Sequence, residues 1–267
     1  MDSPFSRRVH SSHHSAARLR HSAAPEFAAI VRSGRRLAGS VSWAAVAIVV
    51  ALCLAVAAVL HGPAEEAVPG SPSMSDVISA IDSVSEVFDR PDVPGYGRDC
   101  PGPCSFGRAW SDATEAPGGG NGCSTREDVL ARDIRGAERV PGEHCARTGG
   151  VLVDPYSGEE LVLAGTYQSV HIDHVYALSA AWDMGAHAWP QEKRERFAND
   201  VDANLLAVAG HANMAKGDAL PSGWMPVEPW QCFYAWRVAV AASTYDLPLT
   251  SADLKQLRES ARSCPDG

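Results

Sequence analysis

His171-Ile172-Asp173-His174-Val175 is the stretch that organises the chain, read with Asn204-Leu205-Leu206-Ala207-Val208 and Asn213-Met214-Ala215-Lys216-Gly217-Asp218. Gln168 to Val175 is rich in β-branched residues and reads as a strand. Neighbouring side chains on a strand point to opposite faces, so Asp173 and His174 can address one point only where that strand ends or twists. Asn204 to Val208 reads as a second short strand able to pair with the first, and Gly210 then breaks it. His211 to Lys216 can form a short helix laid across the hairpin, which returns Asn213 over Asp173. A carboxylate and an amide oxygen beside an imidazole suit one hard metal ion and the activation of a water.

Further blocks lie in order on either side. They are Gly95-Tyr96 and Arg98, Gly122-Cys123-Ser124-Thr125-Arg126, Asp154-Pro155-Tyr156-Ser157-Gly158, Phe197-Ala198-Asn199-Asp200 and Trp224-Met225-Pro226. With them the chain, from about residue 95 to residue 264, resembles the HNH nuclease superfamily. In particular it is similar to exported or membrane-anchored HNH endonuclease family proteins of actinobacteria, relatives of the nuclease domain of modification-dependent restriction enzymes. The resemblance implies an α+β fold with a ββα-metal (HNH, His-Me finger) core and surrounding helices. It implies hydrolysis of nucleic-acid phosphodiester bonds, leaving 5′-phosphates. Asp173 would be a metal ligand, His174 the general base, Asn204 the residue that fixes the loop, and Asn213 the second ligand. One divalent ion, Mg²⁺ or Mn²⁺, is the implied cofactor. Family members usually carry Pro where Ala177 stands here, which softens the turn that aims the base.

Other roles come from the residues themselves. His171 lies two positions before Asp173 on the same strand face and is a candidate third ligand. Lys216 could meet a phosphate or pair with Asp218. Arg126 could reach a phosphate through its guanidinium fork or serve a carboxylate such as Asp128 or Asp133. Ser124 to Glu127 is a capping box opening a helix through Ile134, and Val151–Val153 with Leu161–Leu163 reads as a hairpin around Asp154 to Gly158. Further helices are expected from Ser75 or Asp76 to Phe88, over Ser179–Asp200 with a break before Pro190, over Trp230–Tyr245, and from Ser251 to Arg262.

The N-terminal portion has a different character. Seven Arg against one Asp and one Glu give residues 1–42 a net charge of about +5, which leaves about −14 for the rest of a chain whose total is −9. Residues 1–36 read as a disordered basic tail on the cytoplasmic side. Leu37 to Leu60 carries no charge. At about 1.5 Å per residue such a helix reaches roughly 36 Å, enough for a bilayer core of about 30 Å. The expectation is a transmembrane anchor at 37–60 with the N-terminus cytoplasmic, a linker at 61–74 and an extracellular nuclease domain at 75–267. The alternative is secretion after cleavage of a signal peptide.

Six of the seven cysteines lie beyond that span, an even set that an oxidising compartment would pair. Six cysteines admit about 15 pairings. The expected set is Cys100–Cys104, Cys123–Cys145 and Cys232–Cys264. Zinc held by Cys-x3-Cys is the rival, and no second close pair follows it.

The acidic charge weighs on function. DNA affinity at physiological salt comes largely from Lys and Arg displacing counterions, so low sequence specificity and weak substrate affinity are expected. Nucleic acid and the membrane are the expected partners, with no protein partner. Two other readings remain open: a catalytically inactive, disulfide-clamped envelope protein that binds a partner, and a phosphodiesterase acting on a wall polymer or nucleotide. The second would explain the charge better.

Overall fold

The computed structural model describes residues 43–60, 67–68, 70–102 and 104–266. The basic-tail expectation and the first six residues of the expected span lie outside these. The chain divides into two compact units, Met1–Gly62 and Pro63–Gly267. In the first, α1 (Trp43–Leu60) is an 18-residue helix without a charged residue. No helix among the described residues is long and apolar enough to cross a membrane, so the expected anchor over 37–60 is not reproduced.

In the second unit α2 (Met74–Asp82) has its cap two residues before the nearer expected one and ends at Asp82, short of Phe88. Ser73, not Ser75 or Asp76, caps it, its side chain accepting from Asp76 N at 3.2 Å. The expected linker is part of this unit at its end, where Val68 N donates to Pro229 O at 3.1 Å. β1 (Glu86–Val87) follows, then a long irregular run to α3 (Thr125–Asp133), which opens with the expected Ser124/Glu127 capping box. β2 (Glu138–Arg139) and β3 (Arg147–Thr148) form one small antiparallel pair, and β4 (Val151–Val153) and β5 (Glu160–Val162) another. β6 (Val170–His174) leads into α4 (Leu178–Asp183), a 3₁₀ turn at Ala186–Ala188, and α5 (Gln191–Ala198). The helical stretch therefore breaks at Gly185, which sits at φ 123°, as well as before Pro190. β7 (Leu205–Ala209), α6 (Gly210–Lys216), α7 (Glu228–Tyr245), β8 (Leu249–Thr250) and α8 (Ser251–Ser260) complete the order. Thr250, not Ser251, caps α8, and Ala261–Ser263 is a 3₁₀ turn instead of more helix.

The central unit is strand, strand, helix. β6 and β7 pair antiparallel with Asp173 opposite Leu206 and His174 opposite Leu205. Alternation gives this two-stranded sheet two different faces. Val170, Ile172, Leu205 and Ala207 join the smaller core beneath α3, with Val129, Leu130, Ile134 and Leu152. Leu206 and Val208 join the larger core built around α7 and α2. Both faces are covered, which explains why β7 is apolar at every position instead of alternating. Gly210 starts α6 where His171 crosses: a Cβ there would stand 2.8 Å from His171 Nε2.

The three disulfides pair as the sequence suggested: Cys100–Cys104, Cys123–Cys145 and Cys232–Cys264. The last ties α7 to the C-terminal turn.

Candidate active site

His174 is the last residue of β6, and the chain turns immediately after it. Val175 N donates to Asn204 O at 2.8 Å, extending the ladder by one bond. The Asn204 side chain then grips the next peptide: its Oδ1 accepts from Tyr176 N at 2.8 Å and its Nδ2 donates to Tyr176 O at 3.3 Å. Asn204 is fully buried. Ala177 begins the turn into α4 without a side-chain cap, so Asn204 supplies the fixation that a proline would have shared. Replacing Asn204 by alanine leaves two buried backbone groups of Tyr176 without partners. The expected cost is about 1–3 kcal/mol, read as a lower melting temperature; an unchanged melt would mean that Asn204 does not brace the turn.

The His174 imidazole is buried. Its Nε2–H donates to the carbonyl of Ala198, the last residue of α5, at 2.9 Å. A carbonyl only accepts, so the proton sits on Nε2 and Nδ1 carries the free lone pair. This carbonyl lies at a helix end, where backbone carbonyls lack helical partners and the dipole is negative. Trp110 stacks on the ring, centroids 5.6 Å apart and planes 11° from parallel. Trp110 holds this position in the left-handed region, at φ 58°, where non-glycine residues are uncommon. Burial pushes the His174 pKa down to about 4, against the opposing pull of the Ala198 bond and Asp173. Arg98 and Lys216 push it further the same way. The imidazole is therefore neutral near pH 7.

Asp173 faces the other side of the sheet and is also buried. Its Oδ2 accepts from the Tyr156 hydroxyl at 2.6 Å and pairs with Lys216 Nζ at 2.8 Å. Lys216 Nζ also donates to the His174 carbonyl at 3.0 Å, and its side chain is 0% exposed. Lys216 thus reaches neither open solvent nor Asp218, two of the positions its sequence context suggested. Asp218 is held instead by Arg90 at 2.9 Å and by the Ser179 hydroxyl at 2.9 Å. Arg126 is likewise structural: its Nη2 donates to Tyr167 O at 3.1 Å and Val170 O at 2.9 Å, anchoring α3 to the start of β6. His171 stands on the Asp173 face, and Asn213 Nδ2 donates to its Nδ1 at 3.4 Å.

Asp173, His174 and Asn213 line one cleft of about 370 Å³, with Tyr96, Arg98 and Asp218 among its other walls. They reach it from opposite faces of β6 because the strand ends there. Both contacts of Asp173 fall on Oδ2, and Oδ1 has no hydrogen-bond partner among the described residues. A carboxylate oxygen and an amide oxygen are hard donors of the kind Mg²⁺ or Mn²⁺ takes, with water completing the shell. The donor set fits one such ion. Cys123, His144 and Cys145 place ligand atoms within 4.8 Å of one another, but both sulfurs belong to a disulfide and offer no thiolate.

Two participants were not singled out by sequence reasoning. Tyr156 belongs to Asp154-Pro155-Tyr156-Ser157-Gly158, read as a turn and as one block of the resemblance, yet it is 2% exposed and orients Asp173. A bulky aromatic inside strong turn chemistry was the available signal. Trp110 sits in an irregular run with no periodicity to mark it.

Comparison with known proteins bears on residues 124–247, which match the family model described as "GmrSD restriction endonucleases, C-terminal domain". An "Uncharacterized secreted protein" of Arthroderma benhamiae is 35% identical over 215 residues, covering 79% of this chain and 96% of that protein. No solved structure matches.

Proposed function

We infer a nuclease from one premise: this chain belongs to the family of the GmrSD restriction endonuclease C-terminal domain, with the secreted Arthroderma benhamiae protein as a relative. The proposed activity is metal-dependent hydrolysis of phosphodiester bonds in nucleic acid, probed first with DNA, by an HNH-type ββα-metal site. The observation that carries it is the neutral His174, its Nδ1 lone pair free, at the end of β6 in the cleft shared with Asp173 and Asn213.

In this reading His174 Nδ1 takes the proton of the attacking water. The Ala198 carbonyl fixes the tautomer and stabilises the imidazolium as it forms, while Trp110 holds the ring plane. Asp173 and Asn213 would hold the divalent ion, which would supply charge neutralisation at the phosphate and at the leaving 3′ oxygen. Tyr156 and Lys216 keep Asp173 in place. No base-reading element accompanies the site among the described residues, in keeping with low sequence specificity. The secreted relative and the three disulfides support action outside the cytoplasm.

The test is incubation of the full chain with supercoiled plasmid, single-stranded RNA and bis(p-nitrophenyl) phosphate, each with Mg²⁺, Mn²⁺ or EDTA, beside His174→Ala. Metal-dependent nicking lost in the variant is the expected result. Equal nicking by both proteins, or none by either, counts against it. Turnover of the small diester alone favours a phosphodiesterase with a non-nucleic-acid substrate, the reading that the net charge of −9 supports.

A further inference from the structure

We propose that Arg98 is the phosphate ligand of this site, gripping the non-bridging oxygens of the scissile phosphodiester; the proposal rests on the nuclease reading. Arg98 is exposed, yet it borders both hollows that meet at His174. One is the cleft of Asp173 and Asn213. The other is a smaller recess of about 30 Å³ against Trp110, Phe106 and Asn199. Arg98 and His174 therefore share the ridge between them, and the guanidinium charge is felt at the imidazole.

Apart from Arg108, which borders only the smaller recess, the other cations around the site are engaged. Lys216 is buried on Asp173. Arg90 is held between Asp183 at 2.8 Å and Asp218 at 2.9 Å. Arg126 and Arg132 donate to backbone carbonyls of the strands. Arg98 has no salt bridge among the described residues. Its backbone, in contrast, is fixed on both sides. Gly97 N donates to Ser105 Oγ at 3.0 Å, Ser105 N donates to Gly97 O at 2.8 Å, and the Cys100–Cys104 disulfide closes the same loop. Tyr96 packs its ring against Phe106 and Trp182, with centroids 6.4 and 6.3 Å away. An unpaired guanidinium on an anchored backbone is preorganised for an anion, and its planar fork matches two phosphate oxygens. It also offsets, next to the cleft, the acidic surface that would repel a polyanion.

The experiment compares full-length wild type, Arg98→Ala, Arg98→Lys, Arg108→Ala and His174→Ala. Binding of a fluorescein-labelled single-stranded oligonucleotide is followed by anisotropy in EDTA across a salt series, and plasmid nicking is followed with Mn²⁺. Arg98→Ala is expected to weaken binding about tenfold, to flatten the log–log salt slope by about 0.7, and to cut nicking kcat/KM by about a hundredfold. Its melting temperature should match wild type, since no salt bridge is lost. Arg98→Lys should keep the salt slope but recover only part of the rate, because an ammonium lacks the fork. Arg108→Ala, an exposed arginine on the smaller recess only, should stay near wild type. If Arg98→Ala binds and nicks like wild type while His174→Ala is dead, the Arg98 proposal falls and the nuclease stands. An equal loss in Arg108→Ala also overturns it, pointing to diffuse charge. Arg98-dependent binding without cutting by any protein keeps the phosphate site and removes the nuclease. Neither binding nor cutting by wild type removes both.

Discussion

Replacing Lys216 by methionine should destabilise the domain by roughly 3–5 kcal/mol, the scale for removing one partner of a buried ion pair. For a unit of about 200 residues this lowers the melting temperature by about 10 °C. The reasoning turns on what is left behind. The methionine fills nearly the same volume, so packing changes little. The Asp173 carboxylate, however, keeps only the Tyr156 hydroxyl on Oδ2, and the buried carbonyl of His174 loses its donor. A buried charge with one neutral donor is costly, more so than the intact pair was stabilising. The partner experiment separates charge from shape. Adding Asp173→Asn to Lys216→Met removes the orphaned charge and should restore a substantial part of the loss, since removing both partners of a buried pair is far milder than removing one. Thermal melting in EDTA of the two single variants and the double variant measures this coupling directly. If Lys216→Met melts with wild type, the pair seen at 2.8 Å contributes nothing to the fold, and Lys216 is free to serve a substrate after all.

How much of this was legible in the sequence differs from one level to the next. The strand–strand–helix order around Asp173 was readable because three signals agreed: a β-branched run, a second apolar run begun by Asn204, and a glycine before His211. The observed boundaries, Val170–His174, Leu205–Ala209 and Gly210–Lys216, differ from the expected ones by at most two residues. The capping box at Ser124 was also readable, because its two hydrogen bonds are local in sequence. Roles set by distant partners were not. Lys216 lies 43 positions from Asp173 in the chain, and nothing in Asn213-Met214-Ala215-Lys216 says that its ammonium turns inward. Arg126 was open to a phosphate or to a carboxylate, because guanidinium chemistry allows both, and only the fold shows that two carbonyls of the Tyr167–Val170 turn already occupy it. The same logic explains Ala198: a helix-terminal carbonyl has no sequence signature, so the group that sets the tautomer of His174 appears only once α5 is packed against β6. The expected bilayer span was legible only as composition, an uncharged run of 24 residues. The described helix covers 18 of them.

Replacing His174 by alanine should lower the rate of plasmid nicking by about 10²–10⁴-fold, the range for loss of a positioned general base. The size of the effect follows from how completely the ring is committed. Its Nε2–H is bound to Ala198, its face is covered by Trp110, and burial holds it neutral, so the only reactive feature left is the Nδ1 lone pair. No second imidazole lines the cleft to take over; His171 is turned toward Asn213 and His211 toward Glu159 at 3.7 Å. Alanine also opens a cavity beneath Trp110, so a fall in rate alone would not separate chemistry from loosened packing. His174→Gln answers that, because its amide nitrogen can still donate to Ala198 and fill most of the space, yet it has no basic lone pair at neutral pH. Both variants should lose the rate by similar factors, with His174→Gln melting closer to wild type. Added imidazole should restore part of the nicking by His174→Ala, whose cavity can admit it, and little of that by His174→Gln, whose side chain fills the space. A glutamine variant that cuts at the wild-type rate would remove His174 as the base and leave it a packing residue at the end of a strand.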